Sequence, residues 1–105
     1  MPLEDLFGNS VLVKMVDFFL ENRFWDYTKT DVAKHIGKSR QSVSDCWAVL
    51  EKHGIVVPSR KIGRTILYKT NPESPIVKEL SKLSLSIANT DIEGKDVKTP
   101  PMSAG

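Results

Sequence analysis

Five hydrogen-bonding side chains crowd the start of the segment KSRQSVSDCWAVLEKHG, residues 38–54: Ser39, Arg40, Gln41, Ser42 and Ser44. Hydroxyls this short let a helix come close to a surface while still donating and accepting. The Gln41 amide offers both roles at once, and the Arg40 guanidinium presents a planar fork of donors. This chemistry suits the edges of base pairs. Arg40 matches guanine O6/N7 or a phosphate, Gln41 matches adenine, and Ala48 leaves room or meets a thymine methyl; a good bidentate pair contributes about 1–3 kcal/mol of discrimination. Asp45 is the exception on this face. Phosphates repel a carboxylate, so it must accept from a cytosine amino group or, the preferred reading, pair with a neighbouring Arg or Lys. Covalent chemistry has no comparable set, because neither His35 nor His53 has a nucleophile or paired carboxylate beside it in the pattern. No enzymatic activity and no cofactor are expected.

These side chains need a helix to hold them. Val43, Cys46, Trp47 and Leu50 recur at i, i+3, i+4 and i+7, an apolar stripe that predicts a helix over residues 39–53 with the polar set opposite. Ser39 is its N-cap, and Lys52, His53 and Gly54 are its C-terminal signals. Upstream, Thr28 and Asp31 have capping-box spacing, Val32, Ala33 and Ile36 form a narrow apolar edge, and Gly37 supplies a left-handed stop. Two short helices across a Gly-containing turn give a helix-turn-helix over residues 28–53. Its two helix starts offer Thr28, Lys29, Lys38 and Ser39 to phosphates. Residues 55–70 read as a β-hairpin, Val56 to Arg60 and Thr65 to Lys69, with the turn at Ile62-Gly63 or its neighbours. Pro58 assigns the first strand to an outer edge, and Ile66 and Tyr68 share a face that packs inward. Arg60, Lys61 and Arg64 gather at the hairpin tip, placed to lie along a nucleic-acid backbone or enter a minor groove.

Residues 1–8 read as a lead-in. Asn9 or Ser10 then caps a helix to about Asn22; eight of the ten residues 11–20 are apolar, so this helix must be covered on more than one side. Residues 23–27, RFWDY, form an aromatic connector able to add a short strand. Ser74 and Pro75 open a last helix, 74–88, with Ile76, Leu80, Leu83 and Ile87 spaced 4, 3, 4. A homodimer is expected through these two helices, using Val11, Met15, Phe18 and Phe19 of the first and Ile76, Leu80, Leu83 and Ile87 of the last. Phe24 and Trp25 are expected in the core or at that interface. Residues 89–105 have few apolar side chains and a Pro pair, and are expected to be disordered.

With 105 residues the chain is one domain, residues 9–88, between that lead-in and that tail. A domain this small buries only about 60% of its unfolded surface and gains from a partner. The lone Cys46 sits on the apolar stripe and is read as a small buried side chain in a reducing compartment. One cysteine and two histidines on different elements do not make a tetrahedral metal set. The most apolar run, 11–20, is half a membrane span and is broken by Lys14 and Asp17, and the N-terminus lacks a signal-peptide pattern. No membrane association is expected, and the location is expected to be cytoplasmic. The net charge of +2 is unevenly spread: residues 38–72 carry seven Lys/Arg against two Asp/Glu, whereas the flanking segments carry four against six and four against five. A basic middle third points to a polyanionic partner.

Three stretches in the right order carry a resemblance: S-R-x-S-V at residues 39–43, L-E-x-H-G-I-V at 50–56 and G-R-T-x-L-Y-x-x-N-P at 63–72. Over roughly residues 5–88 the chain resembles the winged-helix transcriptional regulators of archaea, in the broad group that includes arsenic-repressor-like and multiple-antibiotic-resistance-regulator-like proteins. The resemblance implies a winged helix-turn-helix, mainly α with a small β-hairpin. It also implies double-stranded DNA as the partner, usually a homodimer, and commonly repression of transcription. A small-molecule effector between the first and last helices, near Phe18, Phe19, Phe24 and Trp25, is the lesser reading of those aromatics beside core or dimer contacts, and the sequence does not identify one. The competing reading is a winged helix that docks on a protein without touching DNA, which requires an exposed apolar or acidic patch in place of the basic hairpin SRKIGR.

Overall fold

The computed structural model describes residues 2–93. Helices α1 (Pro2–Phe7), α2 (Val11–Glu21), α3 (Lys29–Ile36), α4 (Arg40–Lys52) and α5 (Pro75–Glu93) pack together beside a small antiparallel sheet of β1 (Asp26–Tyr27), β2 (Val56–Ile62) and β3 (Thr65–Thr70), ordered β1-β3-β2. The chain is thus mainly helical. None of the described helices is long and apolar enough to cross a membrane.

The greasy run 11–20 becomes α2, started by the Ser10 hydroxyl, which accepts from the Val13 N–H at 3.3 Å. Its apolar side chains point all round, so it lies at the centre and packs against every other helix and β3. Met15, Phe18 and Phe19 are at most 3% exposed, in one core with Val32, Val43, Trp47 and Leu50. This corrects the expected dimer surface. Those three residues are sealed inside the protomer and Val11 packs half-buried against the same core, so α2 does not offer the expected stripe to a second copy.

The element that completes the seal is α1, within the stretch expected to be a plain lead-in. It is two turns at most, too short to hold by propensity. Its N-terminus is instead capped from a distance: the Asp17 carboxylate, fully buried on α2, accepts from the backbone N–H groups of Leu3 and Glu4, both at 3.1 Å. Leu3 is driven into the core, and Lys14 pairs with Glu4 at 3.2 Å.

At the other end, α5 runs past the expected stop at Ala88 to Glu93. The sequence holds no Gly or Pro between Pro75 and Gly94, so nothing breaks the helix there. The expectation of disorder is therefore corrected for residues 89–93; residues 94–105 lie outside the described part. Ser74 caps α5 by accepting from the Val77 N–H at 3.2 Å. Val77 is the buried side chain, Leu80, Leu83 and Ile87 pack half-buried on α1 and the core, and Ile76 stays at the surface.

Burial raises the Asp17 carboxyl above the usual carboxylate range, against the two N–H bonds that favour its charged form. The folded state therefore holds this proton more tightly than the unfolded one. Asp17 contributes most stability below the ordinary carboxylate pKa, and loses it as pH rises through the raised value. Asp17→Ala, which orphans both N–H groups, is expected to lower the unfolding free energy by about 1–3 kcal/mol. Urea denaturation measures it, and the gap between wild type and variant should narrow on going from acid to neutral pH.

Candidate nucleic-acid interface

Local signals place α3 and α4. Thr28 and Asp31 form the capping box in full, each side chain accepting from the other's backbone N–H at 3.0 Å. Gly37 closes α3 at φ 70°, and the Lys38 N–H returns to the Ala33 carbonyl at 3.0 Å. Ser39 then accepts from the Ser42 N–H at 3.0 Å and opens α4. Val43, Trp47 and Leu50 turn inward, with Cys46 half-buried beside them, which leaves Ser39, Arg40, Gln41, Asp45 and Ala48 exposed.

The hairpin is set against α4 by aromatic packing. The Trp47 ring meets Phe19 at 5.8 Å and Tyr68 at 5.0 Å, both edge-on. Gly63, at φ 61°, supplies the positive φ of a two-residue turn between the paired Ile62 and Thr65. Everything from Pro58 to Ile66 is exposed, so the distal hairpin overhangs the core. Ile66, expected to pack inward with Tyr68, is on that overhang and 40% exposed.

The start of α3, the start of α4 and the hairpin turn meet in one concavity of 280 Å³. Thr28, Lys29, Arg40, Arg64, Ile66 and Tyr68 are among its lining residues. Thr30 and Thr65 also line it, and the sequence reading named neither for this role. Their only local signal was adjacency, Thr30 to the Thr28 cap and Thr65 to the hairpin turn. Lys29 is half-buried, its ammonium 5.4 Å from the Trp47 ring centre and 6.0 Å from that of Tyr68. Lys38 and Lys61 are exposed nearby in the chain but do not line this concavity.

The open face of α4 is internally paired. The Ser39 hydroxyl donates to Ser42 at 2.9 Å, Arg40 donates to the Ser44 hydroxyl, and the Gln41 amide N–H donates to Asp45 at 2.8 Å. Ser42 and Ser44 are half-buried. The expected partner of Asp45 is thereby corrected: it is an amide one turn back, not a cation, because Gln41 occupies the i−4 position that such a pair needs.

Arg60 is also corrected. It lies opposite Leu67, midway along the hairpin, and its guanidinium grips Asp26 of β1 at 2.8 and 3.4 Å. A bulge between Pro58 and Arg60 moves it to the sheet face opposite Ile66 and Tyr68, while Lys61, opposite Ile66, takes the near face. Phe24 and Trp25, expected in the core or at a dimer contact, are 87% and 69% exposed in the protomer. No protein-family model, curated protein or solved structure matches the chain.

The hydrogen bond from Arg60 holds the Asp26 carboxyl below the usual carboxylate range. A depressed folded pKa means that this contribution is present above the ordinary value and lost as pH falls through the depressed one. Arg60→Ala is expected to move the Asp26 titration, followed by NMR, up toward the ordinary value, whereas Arg64→Ala leaves it unmoved.

Proposed function

We propose that this chain is a winged helix-turn-helix protein that binds double-stranded DNA in a sequence-specific manner and regulates transcription, as a repressor. α4 enters the major groove with Arg40 and Gln41 toward the base edges, and the hairpin acts as the wing. The observation that carries this reading is the concavity in which Arg40, Arg64 and the start of α3 converge, three sources of phosphate or base contact on one surface. Thr28, Lys29, Lys38 and Ser39 serve the backbone at the two helix starts, Ser42 and Ser44 support the first turn of α4, and Lys61 joins Arg64 on the wing. The resemblance to archaeal regulators in the order of its motifs agrees with this assignment. The basic hairpin favours a polyanion over the protein-docking alternative.

The dimer belongs to the same proposal, relocated to α1 and α5. Ile76, Leu80 and Leu83 line one surface groove of 310 Å³, and Leu83 and Ile87 line another of 400 Å³ with Leu6 of α1. A two-fold pairing along this stripe presents two copies of α4 to half-sites about one helical turn apart.

Titration of random duplex DNA at two salt concentrations tests the polyanion reading: about five neutralised phosphates per protomer give a log–log slope near −4.5. Salt-insensitive binding, or none, sinks it. Arg64→Ala should weaken every sequence alike and flatten the slope by about 1, whereas Arg40→Ala or Gln41→Ala should relax preference at a single base pair of a selected site. In sedimentation at micromolar concentration, Leu6→Glu or Ile76→Glu should convert a dimer to a monomer. A wild type that is monomeric throughout removes the dimer.

A further inference from the structure

A second cavity, of 580 Å³, opens between the β1–β3 edge and the first turns of α5, and it shares no lining residue with the concavity described above. That volume is in the range of sites that enclose small organic ligands. Four cations line it, Arg23, Lys69, Lys78 and Lys82, against one carboxylate, Glu79. Glu79 already faces Lys82 at 3.5 Å, and neither Lys69 nor Lys78 has an ion-pair partner among the described residues. Like charges gathered around one hollow repel one another until an anion enters.

The remaining walls are apolar. Pro72, Pro75 and Val77 contribute to them, and Phe24 stands at the side, 87% exposed. Leaving a ring in water forgoes about 1.5–3 kcal/mol of burial, which a flat apolar ligand laid against it would recover. Ser81 is also among the lining residues, and its hydroxyl is buried behind the wall without a hydrogen-bond partner. The Thr70 hydroxyl, by contrast, is committed to the Phe19 carbonyl at 2.7 Å.

We propose that this cavity binds a small organic anion with a planar apolar body, its acid group among Lys69, Lys78 and Arg23 and its ring against Phe24. The charge favours an anion over a neutral apolar ligand, and the apolar walls distinguish the site from a bare phosphate-binding surface. This site stands independently of the duplex-binding reading, and either can fail alone.

Fluorescence titration of the full chain with anilinonaphthalene sulfonate, an aromatic anion, tests the site. Saturable one-to-one binding is expected. Lys69→Glu and Lys78→Glu should each weaken it about tenfold, since each removes a charge-assisted contact and adds repulsion. Phe24→Ser should weaken it about fivefold through loss of the ring contact. Lys34→Glu, on the exposed side of α3, should not change it. All four positions are exposed, so an unchanged urea midpoint confirms that each variant is folded. Absence of saturable binding, or binding indifferent to the Lys69, Lys78 and Phe24 changes, overturns the proposal. Displacement of the probe by inorganic phosphate, with Phe24→Ser binding as tightly as wild type, overturns its aromatic half.

Discussion

Trp47 sets the angle between the two parts that face the proposed duplex. α4 and β2 are separated by only three residues, and that short link does not itself orient the hairpin. The orientation comes from the column Phe19–Trp47–Tyr68, which runs from α2 through α4 into β3 with edge-on contacts. Each such pair adds about 0.5–1.5 kcal/mol beyond the area it buries. The Thr70 hydroxyl, bonded to the Phe19 carbonyl, closes the same joint from the far end of β3. With Tyr68 fixed, the turn at Gly63 is carried to a set place, and Arg64 arrives beside Arg40. The indole N–H is left buried without a partner, a cost of about 1–3 kcal/mol. The ring tolerates this because its full burial and two aromatic contacts outweigh the lost hydrogen bond.

The same ring shapes the electrostatics above it. The Lys29 ammonium lies over Trp47 and Tyr68, so the cation at the start of α3 is held in position before any ligand arrives. On α4 the i,i+3 and i,i+4 pairs do similar work. Gln41 and Asp45 hold each other, which fixes the amide and keeps a lone carboxylate from facing outward unpaired. Binding a base edge then exchanges one hydrogen bond for another, so affinity would rest mainly on phosphate contacts and discrimination on a small difference at Arg40 and Gln41.

What the sequence made legible follows the range of each interaction. The caps at Ser10, Thr28, Ser39 and Ser74 are within three residues of their partners, and every one of these helix starts stands where the pattern put it. The hairpin was readable for the same reason, its strands being joined by a two-residue turn, whereas the short strand at Asp26–Tyr27 was read from the aromatic connector alone, since its partners Lys69 and Tyr68 lie far along the chain. The cap of α1 was not, because its acceptor Asp17 is 14 residues away and was read only as an interruption of an apolar run. The face assigned to α2 disappeared because Phe18 packs against Tyr27 and His35 and Phe19 against Trp47, partners that sequence spacing does not identify. Ile66 has the alternation of a buried residue, but alternation does not reveal that the hairpin outruns the core beneath it. Phe24 and Trp25 have core composition, and only the path of the chain into β1 shows that they stay outside.

The hairpin shows how one residue decides which cation serves which surface. In a regular antiparallel pair, Pro58 opposite Tyr68 would put Ser59 opposite Leu67 and Arg60 opposite Ile66, on the face shared with Arg40 and the concavity. The bulge gives β2 one extra residue, so Arg60 comes opposite Leu67 instead and Lys61 comes opposite Ile66. A one-residue slip reverses the face of every side chain beyond it. Arg60 therefore crosses β3 to Asp26 and ties the two outer strands together, while the cation left on the near face is the flexible Lys61. Charge counting along SRKIGR treats these residues as equivalent. The backbone irregularity beside Pro58 separates a structural arginine from the cations available to a ligand.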